Sequence, residues 1–200
     1  MAIVQHAPII LASGSTIRQQ MLKSLGLKFS VVPSGVDEDS LKKELHGKPM
    51  ADIAMALARA KTLFVSKRHP EAYTIGADQL CVLGDQVIDK PGSHSKAEAQ
   101  LAMLSGKTHQ QHCGVVMARG DDIVWEHLGI AKLTMRALSP AEIKAYVAAD
   151  APLASCGSYK FEELGRHLFS AVEGDHDVVK GLALVPLLAQ LHARGVITLA

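Results

Sequence analysis

A mixed α/β fold is the class this sequence predicts, and three features predict it. Short apolar runs of strand length, Ile9-Ile10-Leu11, Tyr73-Thr74-Ile75-Gly76-Ala77 and Leu80-Cys81-Val82-Leu83, alternate with longer stretches of helical periodicity. Two stretches open on capping boxes, Ser95-Lys96-Ala97-Glu98 and Ser139-Pro140-Ala141-Glu142. Turn residues at Gly84-Asp85 and Gly120-Asp121-Asp122 separate runs that read as hairpins.

The organising stretch comes first. Ile9-Ile10-Leu11 ends in Ala12-Ser13-Gly14-Ser15-Thr16, and an amphipathic segment follows with apolar groups at Ile17, Met21, Leu22 and Leu25 before Gly26 stops it. A Ser- and Gly-rich turn lets backbone N–H groups approach an anion. The helix start adds partial positive charge and Arg18 a full one. The same hydroxyls also serve as ordinary helix caps, and by this turn alone capping is the commoner outcome.

Leu27 to Pro33 reads as a second strand, leading into the acidic stretch Asp37-Glu38-Asp39. By residue type alone that stretch is a solvated turn with a cap. Pro49 to Lys67 is the longest helix of the first half, with Lys61 in its interior beside Leu57, Ala58 and Ala60, the setting of a snorkelling lysine. Pro70 ends it. Asp78-Gln79 then stands between two apolar strand segments. A carboxylate there is costly unless paired, hydrogen-bonded or bound to metal, so a functional Asp78 is favoured over a structural one. After the Gly84-Asp85 turn the chain returns through Val87 to Pro91, where proline stiffens the backbone beside Lys90.

The box at Ser95 opens a helix through Leu104, with Gly106 beyond its end. Gly106-Lys107-Thr108 is not a P-loop, because Leu101 stands where the leading glycine belongs. His109 and His112 lack a zinc motif around them and read as strand histidines. Residues 110–118 and 123–135 read as a strand pair, and Ser139 opens a helix to about Ala149. A long polar loop runs from Pro152 to Gly165, the kind that binds or covers a ligand. A strand near Leu168–Val172 and a helix from Gly181 to Arg194 close the chain.

Bulk properties narrow the function. With 48% hydrophobic and 20% charged residues over 200 positions, the chain is globular rather than disordered, and no linker divides residues 1–200. A formal charge of +1 provides no global field for nucleic acid or an anionic membrane, so any phosphate recognition is local. Cys81, Cys113 and Cys156 form no metal or disulfide spacing. No secretory signal or membrane-length apolar run is present, so a soluble cytoplasmic protein is expected.

Taken together, these stretches resemble the Maf family of nucleoside triphosphate pyrophosphatases from about residue 9 to 195. The carriers are Ser13-Gly14-Ser15-Thr16-Ile17-Arg18, Asp37-Glu38, Ala60-Lys61, Gly76-Ala77-Asp78-Gln79, Lys90-Pro91, Leu104 to His109, Leu138 to Tyr146 and Gly157-Ser158-Tyr159. Thr16 and Ile17 depart from the family's proline and first arginine. Asp78-Gln79 and the run Gly157 to Glu162 look like a subgroup acting on 7-methyl-GTP. The segment Gly181-Leu182-Ala183 departs from the family's Gly-Leu-Pro, and no role is carried onto it.

The resemblance implies a long twisted mixed sheet flanked by helices, with two lobes around a cleft, similar to the inosine-triphosphatase-like fold. It implies hydrolysis of a nucleoside triphosphate with Mg²⁺ or Mn²⁺. On that reading Asp78 is a general base or a metal ligand, and Glu38 helps hold the metal. Lys61, Lys90, Arg18, Ser13 and Ser15 grip phosphates, while Ile17, Gln79 and Glu162 shape base selection. Glutamate suits a guanine edge, since its carboxylate accepts hydrogen bonds. A preference for UTP or dTTP, or a nucleotide-binding regulator of cell division and septum formation with little turnover, are the alternatives. Family members are often dimers, although no stretch of this sequence singles out an interface.

Overall fold

The computed structural model describes residues 2–200. In chain order, β1 (Ile3–Gln5) and β2 (Ile9–Leu11) precede α1 (Thr16–Ser24), β3 (Ser30–Val31), α2 (Glu38–Glu44) and α3 (Met50–Ser66). Next come β4 (Tyr73–Leu83), β5 (Gln86–Ile88), α4 (His94–Leu104), β6 (Thr108–Arg119) and β7 (Asp122–Met135). The chain closes with α5 (Pro140–Asp150), β8 (Phe169–Glu173), α6 (His176–Lys180), α7 (Leu184–Ala193) and β9 (Ile197–Leu199). Among the described residues, the principal sheet runs β3-β2-β4-β6-β7-β8 with β5 on β4, and β1 pairs with β9 separately. It is mixed: β2 is parallel to β3 and β4, whereas β5 and β8 run antiparallel to their partners. The expected α/β class with a mixed sheet and helices is what the chain adopts. No helix among the described residues is long and apolar enough to cross a membrane.

Two compact units share the chain. One comprises residues up to Asp78, Cys113–Gly129 and Gly181–Ala200; the other comprises Gln79–His112 and Ile130–Lys180. In the first unit, β2 sits between β3 and β4. The chain leaves β2 for β3 on one side, then crosses to β4 on the other. Parallel neighbours require such crossovers, and α1 to α3 supply them. The point where strand order reverses lies off the carboxyl end of β2, the usual ligand position in sheets of this kind.

Helix α3 packs on this part of the sheet through Met55 and Ala58 against Val116 and Leu128, and through Val65 against Ile10, Ala12 and Ala72. Contact is closest at Gly76, where a Cβ would lie 2.2 Å from Thr62 Oγ1 and 3.2 Å from Thr62 Cα. Only a residue without a side chain lets α3 approach β4 this closely. That approach sets the height of Lys61, the neighbour of Thr62.

Several expectations need correction. The strand expected over Leu27–Pro33 is reduced to Ser30–Val31, an exposed edge segment that pairs only with β2. The two apolar runs around Asp78 form one continuous eleven-residue strand, β4. Helix α4 starts two residues earlier than the Ser95 box, because Ser93 accepts from Lys96 N and is the actual cap. The Ser139 box is present in both halves. The Pro152–Gly165 loop contains a short 3₁₀ turn at Cys156–Ser158, and another follows at Leu164–Leu168. The expected Gly181–Arg194 helix is α7, which starts at Leu184, and a short helix that was not expected, α6, precedes it. The pairing of the two chain ends in β1 and β9 was not expected at all.

Gly76→Ala should destabilise the fold by about 1–3 kcal/mol through overpacking. Adding Thr62→Ala should recover part of that loss, as read by thermal denaturation of the single and double variants.

Candidate active site

In the first unit, the site is built where β2 ends beside the middle of β4. Leu11 pairs with Ile75, and Ala12 N donates to Ile75 O at 2.7 Å. Ser13 therefore follows β2 at the level where β4 reaches Asp78. Ser15 is the N-cap of α1, yet its side chain makes no capping hydrogen bond. The first N–H groups of α1 thus keep their donor capacity for an anion, which an ordinary hydroxyl cap would have used. Ser13 Oγ instead accepts from Ser15 N and from Arg18, each at 3.2 Å. Arg18 Nε donates to the carbonyl of Gly181 at 2.8 Å, so the guanidinium is aimed from two sides. Ile17 and Ser15 are half-buried in the same turn.

Glu38, Lys61 and Asp78 converge. Lys61 Nζ lies 2.5 Å from Asp78 Oδ1 and 2.9 Å from Glu38 Oε2. Lys61 is 9% exposed and Asp78 6%, so water screens their attraction little. Lys61 is therefore not a snorkelling surface lysine. The costly acid within an apolar strand has its counter-charge. Glu38 reaches the pair from α2, with its side chain 45% exposed. Its neighbour Asp37 serves instead as the α2 cap: the Ser40 hydroxyl and amide bind its carboxylate and hold its pKa below the usual range. An ammonium has three N–H donors, and these two carboxylates use two of them.

Two carboxylates converging on one point are a hard-oxygen set suited to Mg²⁺ or Mn²⁺, which completes its shell with phosphate and water oxygens. Among the described residues, no cluster of three or more Asp, Glu, His or Cys side chains forms a closed metal site. The pair Glu38 and Asp78 would supply two oxygen ligands to such an ion.

The second unit holds Gln79, Lys90 and Glu162. The Gln79 side-chain amide donates to the carbonyls of Val178 and Val179 at 3.0 and 2.8 Å, tying down α6. Both its N–H groups are thereby engaged. Lys90 is exposed just past β5. Glu162, half-buried, belongs to the late loop, which is held at several points. At Gly157 (φ 78°) a Cβ would lie 2.8 Å from Cys81 Sγ and 2.9 Å from the Tyr159 ring. Buried Tyr159 receives Gln111 Nε2 at 2.6 Å and lies 2.9 Å from His109 Nε2. Lys160 N donates to Tyr146 Oη at 2.9 Å. Burial drives the Tyr146 hydroxyl well above its ordinary pKa, with Asp150 and Glu162 adding to the effect. His109 and His112 are strand residues, as expected, but His109 is also a support of this loop. Sequence reading missed that role, and no local motif marks it.

A hydroxyl-rich turn at a strand switch, an uncapped helix start and a lysine held between two acids mark the candidate site of this α/β protein. Residues 8–194 match the model of the Maf-like protein family, and the chain belongs to that family. A nucleoside triphosphate pyrophosphatase of Legionella pneumophila (strain Corby) is 44% identical over 188 residues, 94% of each chain. The protein of that name from Nitrobacter winogradskyi is 41% identical over 194 residues, 96% of each. Among solved structures, the Staphylococcus aureus Ham1 protein aligns with a TM-score of 0.49 and 16% identity, over 94% of this chain and 99% of that one.

Lys61→Met leaves the Asp78 carboxylate buried without its cation and should cost roughly 3 kcal/mol of stability, measurable by chemical denaturation. His109 provides a second test. Burial lowers its pKa from 6.5 to about 4, so the folded state resists a proton that the unfolded state accepts. Its contribution is complete above pH 6.5 and is lost as pH falls towards 4. The melting temperature should therefore drop across that window more steeply than that of His109→Asn.

Proposed function

We propose that this protein hydrolyses a nucleoside triphosphate to the monophosphate and pyrophosphate, with a modified purine such as 7-methyl-GTP as substrate. The observation that carries the reading is the Lys61 ammonium set between Glu38 and Asp78 beside the Ser13 turn. Names of relatives matched over nearly their whole length support the same reaction class.

The residues suit that chemistry. A triphosphate repels an attacking oxygen until its charge is neutralised. The turn amides, Ser13, Arg18 and the third N–H of Lys61 supply donors for that purpose, with Lys90 adding a further cation. Asp78 takes a proton from water as its oxygen bonds to the α-phosphorus. The bond from that phosphorus to the bridging oxygen breaks, and pyrophosphate leaves. With Asp78 as the base, Glu38 would hold a divalent metal, which would supply further charge neutralisation. For the base, the Glu162 carboxylate accepts from the N–H groups of a guanine edge. Ile17, lacking the charge of an arginine, and the carbonyl oxygen of Gln79 complete the selection.

Pyrophosphate release should be seen with at least one of GTP, 7-methyl-GTP, UTP and dTTP in Mg²⁺ or Mn²⁺. Nucleotide binding without release under every combination would instead make the protein a nucleotide-binding regulator. Asp78→Asn should lower kcat by about 10²–10⁴; near-normal turnover would remove it as the base. Glu162→Ala should narrow the preference among those four nucleotides, and an unchanged preference would remove its specificity role.

A further inference from the structure

Two segments of the second unit carry proposed substrate groups: the exit of β5, with Lys90, and the late loop, with Glu162. One side chain joins them. Gln100 projects from α4, a helix seated by the buried residues Ala97, Leu101 and Leu104. Its Nε2 donates to the carbonyl of Asp89 at 3.0 Å, immediately before Lys90. Its Oε1 accepts from the hydroxyl of Ser158.

Ser158 is an unusual place to receive such a tie. It is fully buried, and its φ of 61° lies in the left-handed region that a residue with a side chain seldom occupies. Such a conformation persists only where surrounding contacts over-determine it. Gln100 is one of those contacts, with Tyr159 and Gly157 locked on the other side. A backbone bond from Gly92 N to Leu153 O at 3.0 Å links the same two segments, so they already adjoin. What Gln100 adds is a rigid reference. An amide has a donor end and an acceptor end in one plane, and here each end takes a different segment.

We propose that Gln100 is a positioning residue, fixing Lys90 through the Asp89 carbonyl and the Glu162 loop through Ser158, so that phosphate grip and base choice are set by one amide. This rests on the hydrolase reading above, which places Lys90 and Glu162 against the substrate. A helix–loop tie needed only for folding would not require both ends of the amide. Nor would its loss discriminate among nucleobases.

The two ends can be separated. Gln100→Glu keeps an acceptor for Ser158 but removes the donor to Asp89; Ser158→Ala does the opposite. Steady-state pyrophosphate release by the full chain is compared for GTP, 7-methyl-GTP, UTP and dTTP, with Lys90→Ala and Glu162→Ala as references. Gln100→Glu should raise KM about fivefold for all four, the scale of one lost hydrogen bond, and leave their ranking unchanged. Ser158→Ala should shift the ranking in the direction of Glu162→Ala with a smaller common change in KM. Gln100→Ala should do both, and the first two variants decide the matter if it does not fold. If Gln100→Glu and Ser158→Ala alter only the melting temperature while the reference variants change KM and ranking, the positioning role is overturned. If the reference variants themselves change neither, the hydrolase site assignment falls and this proposal falls with it.

Discussion

The first unit depends on an ammonium buried between two carboxylates. Asp78 lies in the middle of a strand flanked by apolar residues, where an isolated charge is strongly unfavourable. Lys61 offsets that cost only because α3 lies close enough to β4 for its side chain to arrive at 2.5 Å. Glu38 adds the second acid from a short helix none of whose residues is buried. Structure and the proposed chemistry share a cause here, since the contact that makes Asp78 tolerable also gathers the charged groups proposed to meet a triphosphate.

Strand order does the remaining work in that unit. With β2 between β3 and β4, a turn after β2 lies beside the end of β3 and the middle of β4. The turn's N–H groups, the α1 start and Arg18 face that point, and Ser15 leaves the helix uncapped on its side-chain face. Arg18 also grips the Gly181 carbonyl, which couples the turn to a segment that had no apparent role in the sequence.

The second unit follows a different logic, in which polar side chains fasten a loop. Tyr159 is held by Gln111 and His109, Lys160 by Tyr146, and Ser158 by Gln100. These hydrogen bonds fix the loop in place, while the buried atoms Gln111 Oε1 and His109 Nδ1 are left without a partner. The loop that carries Glu162, the carboxylate proposed to recognise the base, benefits from that anchoring.

Local patterns were enough to determine much of this protein. Apolar runs, the Ser139 box and the hairpin turns marked the α/β class, and the oddity of an acid within a strand singled out Asp78. The turn chemistry singled out Arg18, and family likeness in the motifs added Glu38, Lys61 and Lys90. Only the tertiary structure decided that Glu38 rather than Asp37 meets Lys61, that Lys61 is buried, and that Gln79 spends its donors on α6. Those outcomes depend on distances between residues far apart in the chain, such as Lys61 to Asp78 and Gln79 to Val178. Periodicity and caps report what a residue's neighbours in sequence impose. Which charges meet is set by the packing of α3 on β4 and by the order of the strands.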